Sequence, residues 1–136
     1  IQSEELTTPD PKRTLPGAAP PIPLLPLGVT PAPTVSGRQL WEELRGAAPP
    51  LVVDVREPRE FRQGHIAEAR LLPLGEILAG PVELPRDRPV VLVCRSGRRS
   101  ARAAAVLAPQ GYDNLRILAG GMLAWEGQNL LEAVEV

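Results

Sequence analysis

The sequence has a single cysteine, a single histidine and few aromatic residues, which make up 3% of its 136 positions. A lone cysteine excludes an internal disulfide, and one cysteine with one histidine cannot complete an ordinary zinc site. No apolar run approaches the roughly 20 residues of a membrane span. The net charge of −1 provides no overall positive field for nucleic acid or a membrane surface. We therefore expect no metal, no nucleic-acid partner and no membrane span.

Proline is abundant and concentrated at the start of the chain. Residues 1–33 contain nine of the 17 prolines, a density that rules out helix and central strand. We expect an extended arm or linker, part of which packs on the domain or on a neighbouring molecule. Since the chain begins at Ile1 rather than Met, we expect a processed or excised form whose arm leads to an upstream domain. The P-x-x-P spacing of Pro20 and Pro23 leaves a ligand for a proline-reading module as an alternative.

Short apolar runs alternate with helical segments over the rest of the chain. The pattern predicts strands at 34–35, 51–55, 69–72, 90–93 and 115–118, and helices at 37–45, 59–63, 74–78, 102–107 and 122–128. Such alternation indicates an α/β fold, with a five-stranded, mostly parallel sheet and helices on both faces. We expect one domain at 34–130, followed by a short tail at 131–136.

The most informative stretch is the predicted strand 90–93 with the loop that follows it. Cys94 stands between this strand and an Ala-rich helix, in a loop that also contains Arg95, Arg98 and Arg99. Backbone N–H groups converge at such a strand–loop–helix junction, and together with nearby arginines they favour the reactive thiolate. The alternative is an inert cysteine buried at the end of a core strand.

A second charged cluster follows the predicted strand 51–55, at the end of a strand where open α/β sheets place their sites. We expect Asp54 to anchor loops, with Glu60 and His65 as further structural support. Arg56 either binds a substrate at the end of the strand or pairs with Asp54 or Glu60.

With these residues laid out, the chain resembles a single-domain rhodanese, a member of the rhodanese-like sulfurtransferase family. Three stretches carry the resemblance: DVREP at 54–58 with Glu60, Phe61 and residues 64–66; CRSGRRS at 94–100; and GGM at 120–122 with Trp125. The resemblance implies the family's α/β fold and sulfur-transfer chemistry without a cofactor.

The resemblance also implies roles for individual residues. Cys94 is the nucleophile that takes a sulfane sulfur from a small anionic donor such as thiosulfate, becomes a persulfide, and passes the sulfur to cyanide, a thiol or a protein acceptor. The other loop residues are implied to bind substrate: Arg95, Ser96, Gly97, Arg98, Arg99 and Ser100. Arg56 is a further candidate for substrate binding from its place at the end of the strand. Gly97 lets the loop adopt a positive φ angle and curve around the sulfur.

The length of the loop separates this chemistry from that of related phosphatases, whose loop has an arginine six residues after the cysteine. Here that position is Ser100, and Arg99 comes one place earlier. We therefore expect the loop to hold one sulfur and to exclude phosphate. Ser96 and Arg95 depart from the loops of the two-domain thiosulfate and mercaptopyruvate enzymes, which leaves another protein's persulfide as an alternative donor.

Two other functions remain as alternatives: a non-catalytic or persulfide-relay module of a larger protein, and a phosphatase or arsenate reductase. Loop length and the lack of a second cysteine disfavour the last. We expect a cytoplasmic location, because a thiolate is most easily kept reduced there. An exported form that has lost an N-terminal segment is the alternative.

Overall fold

A five-stranded sheet forms the centre of the fold in the computed structural model, which describes residues 31–127 and the backbone of 134–135. The strands are β1 (Thr34–Val35), β2 (Leu51–Asp54), β3 (His65–Ile66), β4 (Arg70–Leu71), β5 (Val90–Val93), β6 (Leu115–Leu118) and β7 (Val134–Glu135). The helices are α1 (Gly37–Leu44), α2 (Pro58–Arg62), α3 (Leu74–Ala79), α4 (Arg98–Leu107) and α5 (Gly121–Gly127), with a 3₁₀ turn at Ala108–Gln110.

The strand order of this sheet is β1-β6-β5-β2-β4, and every pairing within it is parallel. β5 occupies the middle, and all four of its residues are buried because helices cover both faces. The predicted fold class and five strands are confirmed.

The two faces of the sheet have separate cores. One core contains Leu40 of α1 and Trp125 of α5, both fully buried, with alternate residues of β2 and β5. The other contains Ile77 of α3 and Leu107 of α4 with the intervening strand residues. The predicted layer on each face is confirmed.

Helix ends account for most differences between prediction and structure. Ser36 caps α1, and its Oγ accepts a hydrogen bond from the Gln39 backbone N at 3.0 Å, as its sequence spacing predicts. The predicted start of α4 at position 102 is wrong, because the helix begins at Arg98. Gly97 directly precedes the helix and has a φ of 114°, in the left-handed region that glycine adopts readily. The loop therefore ends at Gly97, whereas the Ala-rich segment suggested that it continues to position 101.

A second, two-stranded sheet was not predicted. β3 pairs antiparallel with β7, so His65 and Ile66, which lie outside every predicted strand, form one, and part of the predicted tail is also a strand. The predictions for residues 1–30 of the arm and for the domain boundary at 130 lie outside the described residues. Residues 31–33 have no regular structure, and the carbonyl of Pro33 accepts a hydrogen bond from Ile117 N.

Candidate active site

Two strand ends bring the residues of the predicted site together. Asp54 ends β2 and is paired in register with Val93, the last residue of β5, and Cys94 follows directly. Because the strands are parallel, the loops after β2 and β5 lie at the same edge of the sheet. This edge contains both charged stretches that the sequence singles out.

The Cys94 thiol lies against backbone amides of its own loop. Sγ accepts hydrogen bonds from Gly97 N at 2.9 Å and from Ser100 N at 3.4 Å. The residue is 1% exposed and also borders the core that contains α4. The sulfur is therefore buried, as the inert alternative expects, and also faced by backbone amides, as the reactive alternative expects. Amide hydrogen bonds stabilise a thiolate more than a thiol.

Ser100, whose backbone N donates to this sulfur, also has a buried side-chain hydroxyl. Its Oγ has no hydrogen-bond partner among the described residues, although a buried hydroxyl ordinarily has one. Ser100 is the first buried residue of α4, and its backbone N faces Sγ. The site thus contains one polar group whose bonding capacity is unused.

Arg99, one of the predicted substrate-binding residues, forms an ion pair with Glu60 of α2. Its Nη1 and Nη2 donate to the two Glu60 carboxylate oxygens at 2.7 and 2.9 Å. The hydrogen bond from Arg99, with help from the Glu57 backbone N, lowers the pKa of Glu60 to about 2. The hydrogen bond with Glu60 in turn raises the pKa of Arg99. The guanidinium of Arg99 is therefore already bound by a carboxylate, and its predicted role in substrate binding stays a prediction.

Arg95 and Arg98 differ from Arg99 because both are exposed. Neither has an ion-pair partner within the part of the chain that the structure describes. Ser96 is also exposed, so the outer part of the loop faces solvent. These residues are placed to meet an approaching ligand, and their binding role stays a prediction.

Arg56 forms a buried ion pair with Asp54. Its Nε donates to Asp54 Oδ1 at 2.9 Å and its Nη2 to Oδ2 at 2.8 Å, and Nη2 also donates to the Gly64 carbonyl at 2.8 Å. The two residues are 6% and 1% exposed. This geometry agrees with the alternative in which Arg56 pairs with Asp54, and it ties the end of β2 to the turn before β3.

His65 supports the same region from β3. Its ring stacks on Phe61 with centroids 3.6 Å apart, and Nδ1 lies 2.8 Å from the Phe61 carbonyl oxygen. These contacts hold the end of α2 against the following strand.

The start of α5 contacts the cysteine loop directly, a role that no pattern in the sequence indicates. Met122 N donates to the Cys94 carbonyl at 2.8 Å, and Leu123 N donates to the Arg95 carbonyl at 3.1 Å. Gly121 lies so close that an added Cβ would overlap both carbonyl groups, and its φ of 59° is left-handed. The GGM stretch singles out these residues but does not indicate their role, and the contact explains why glycine stands there.

The described residues contain no group of His, Cys, Asp and Glu side chains that could hold a metal ion. Within the same part of the chain, no helix has the length and apolar character needed to cross a membrane.

The fold and this site define an α/β protein with a cysteine held by amides at the junction of the central strand and a helix. The chain belongs to the rhodanese-like family, since the model for the rhodanese-like domain matches residues 36–128.

Three known proteins illustrate the similarity. The chain is 41% identical over 96 residues to a sulfurtransferase of Allochromatium vinosum, and the aligned region covers 71% of this chain and 90% of that protein. It is 33% identical over 76 residues to the thiosulfate sulfurtransferase GlpE of Pseudoalteromonas translucida, covering 56% of this chain and 72% of GlpE. The crystal structure of a rhodanese-related protein from Thermoplasma volcanium matches with a TM-score of 0.63 at 30% identity, covering 71% of this chain and 92% of that one.

Proposed function

We propose that the protein is a sulfurtransferase that moves a sulfane sulfur from a donor such as thiosulfate to cyanide or a thiol through a persulfide on Cys94. The thiolate attacks the outer sulfur of the donor, and the donor's S–S bond breaks. Sulfite leaves with the electron pair of that bond. The acceptor then attacks the outer sulfur of the persulfide and regenerates the thiolate.

The observation that supports this proposal most strongly is the pair of amides on Sγ. Gly97 N and Ser100 N direct partial positive charge at the sulfur, at 2.9 and 3.4 Å. A thiolate and a persulfide anion both benefit from such a nest of N–H groups. Ser100, whose backbone N donates to Sγ, also has a buried hydroxyl without a partner among the described residues, and we expect this hydroxyl to donate to the added sulfur.

The remaining loop residues have supporting roles in the proposal. The donor is attracted to the mouth of the loop by Arg95 and Arg98, because both guanidinium groups are exposed and free of ion pairs among the described residues. Ser96, also exposed, lies at the same mouth. Arg99 and Arg56 act as positioning residues, since Glu60 and Asp54 occupy their donors.

The same geometry disfavours phosphatase chemistry. Phosphate recognition uses a guanidinium fork turned toward the phosphate oxygens, and the fork of Arg99 is occupied by a carboxylate. Cys94 is also 1% exposed, which suits attack on a single terminal sulfur better than on a phosphorus surrounded by four oxygens.

Mass spectrometry of the intact chain tests the proposal. Treatment with a panel of sulfane-sulfur donors should leave the wild-type chain heavier by one sulfur atom, and cyanide should remove that sulfur as thiocyanate. Cys94→Ala is the control and should take up no sulfur. A chain that takes sulfur from no donor would instead be a non-catalytic module. Release of phosphate from an aryl phosphate, lost in Cys94→Ser, would favour the phosphatase alternative.

A further inference from the structure

The arginines of the cysteine loop divide into a paired one and two free ones. Arg99 is partly sheltered, with a side chain 33% exposed, and both ends of its fork are bound by Glu60. Arg95 and Arg98 are exposed and have no ion pair among residues 31–127. Arg99 is therefore the least exposed of the three arginines, and its charge is already compensated by Glu60.

Glu60 is held in place by more than Arg99. Its Oε1 also accepts a hydrogen bond from Glu57 N at 3.0 Å, as half of a capping box at the start of α2. Turning the Glu60 carboxylate away from Arg99 would thus also open the helix cap. Arg99 is the chief cause that lowers the pKa of Glu60 to about 2, so the carboxylate stays ionised well below neutral pH.

Sulfane-sulfur donors fall into two chemical classes, which require different hydrogen-bond donors in the site. Thiosulfate has an oxyanion head, which becomes the leaving sulfite, and a guanidinium fork recognises such a head through two parallel hydrogen bonds. A persulfide on a thiol has no oxyanion head and offers only its terminal sulfur. The amides of Gly97 and Ser100 suffice for that sulfur. With Arg99 occupied, an oxyanion meets only exposed arginines, whose attraction is screened by salt.

We propose that Glu60 is a specificity-determining residue that withholds Arg99 from oxyanions, so that the site prefers persulfides of thiols to thiosulfate. The inference rests on the sulfur transfer proposed above. In the preferred step the Cys94 thiolate attacks the outer sulfur of R–S–SH and forms a new S–S bond. The bond between that sulfur and R–S breaks, RS⁻ leaves with its electron pair, and the proton remains on the new persulfide of Cys94.

The test measures the rate at which Cys94 gains a sulfur from the persulfide of 2-mercaptoethanol, a thiol without a carboxylate, and from thiosulfate, read by mass spectrometry of the intact chain. We expect the wild-type chain to load faster from the persulfide by about tenfold, the ratio that one charge-assisted contact supplies. Glu60→Gln should raise the rate with thiosulfate relative to that with persulfide by a similar factor of about ten. Sulfate, an oxyanion with no sulfur to transfer, should inhibit Glu60→Gln more strongly than wild type.

Two variants separate this effect from a loss of structure. Glu43→Gln breaks a carboxylate–arginine pair of the same type, because Arg116 donates to Glu43 at 2.6 and 3.1 Å between β6 and α1, and it should leave the donor ratio unchanged. Adding Arg99→Gln to Glu60→Gln should cancel the gain with thiosulfate, because the released fork is then gone.

A donor ratio that Glu60→Gln leaves unchanged overturns the inference while sulfur transfer stands. A wild-type chain that loads faster from thiosulfate overturns it as well, even if Glu60→Gln does not fold. Loading from neither donor contradicts the proposed function itself, and the inference with it.

Discussion

At the scale of single residues, the buried pair of Asp54 and Arg56 makes the clearest prediction about stability. Replacing Asp54 by Asn leaves a guanidinium without its counter-charge at a site where both residues are less than a tenth exposed. Breaking one side of a buried ion pair costs about 3–5 kcal/mol, whereas an exposed pair contributes only about 0–1 kcal/mol.

We therefore expect urea unfolding to show a much lower midpoint for Asp54→Asn than for Glu43→Gln, which removes the more exposed pair with Arg116. Equal midpoints for the two variants would contradict a structural role for the buried pair.

Residue contacts are also where the sequence predicts least. The types of residue at the site were evident, since Cys94 follows an apolar run and Arg99 lies in its loop. The partner of Arg99 was not, because Glu60 is 39 positions away and long side chains reach several candidates with little difference in free energy. Sequence spacing placed Arg56 correctly at the end of a strand, but its inward turn toward Asp54 is a result of tertiary packing.

At the scale of elements, the contact between α5 and the cysteine loop predicts a strong effect of Gly121→Ala. The added Cβ overlaps the carbonyl groups of Cys94 and Arg95, so either the loop or the helix must move. Because the Cys94 carbonyl bonds to Met122 N, the movement displaces the amides on Sγ and should abolish most sulfur uptake.

Gly127→Ala is the matched control for this prediction. Gly127 ends the same helix, and no described residue lies within 4 Å of its Cβ position, so uptake should stay at the wild-type rate. Similar uptake by the two variants would show that the contact between α5 and the loop has no part in positioning the sulfur.

The ion pair between α2 and α4 predicts a dependence of stability on pH. The pKa of Glu60 falls from its usual 4.5 to about 2 in the folded chain, so the unfolded chain takes up the proton more readily. The stabilisation by Glu60 is therefore complete above the usual pKa and is lost as the pH falls toward 2.

Unfolding of wild type and Glu60→Gln by urea at about pH 7 and pH 3 measures this loss. The difference in unfolding free energy between the two should shrink at the lower pH. A difference that stays constant would show that the carboxylate charge contributes no stability.

Strands and helices could be predicted from the sequence where a segment has a clear apolar run, helical periodicity or capping residue. The apolar run at 90–93 and the capping residue Ser36 have direct physical meaning and were interpreted correctly. The start of α4 was missed because Arg98 and Arg99 hide the helical pattern and only the φ angle of Gly97 marks the boundary. β3 and β7 were missed because they pair only with each other across most of the domain, and no local pattern in either segment indicates that partner.

At the scale of the whole molecule, the two cores share one sheet, which predicts that they unfold together. Leu107 is fully buried in the core on one face, while Trp125 lies in the core on the other. Leu107→Ala should cost roughly 2–5 kcal/mol through the cavity that it leaves. Because β5 contributes residues to both cores, the loss should affect both faces equally.

Tryptophan fluorescence and far-ultraviolet circular dichroism measure this coupling. Both signals should shift to the same lower urea midpoint in Leu107→Ala. Fluorescence that keeps the wild-type midpoint while the dichroism shifts would indicate two independently unfolding layers.

The burial of the only cysteine has a consequence for handling the protein in air. The Cα atoms of a disulfide lie roughly 4.4–6.8 Å apart, and a thiol that is 1% exposed cannot bring its counterpart in another copy so near. Covalent dimers therefore require the folded loop to open first. Bulky maleimide dyes meet the same barrier, so they should label the unfolded chain faster than the folded one.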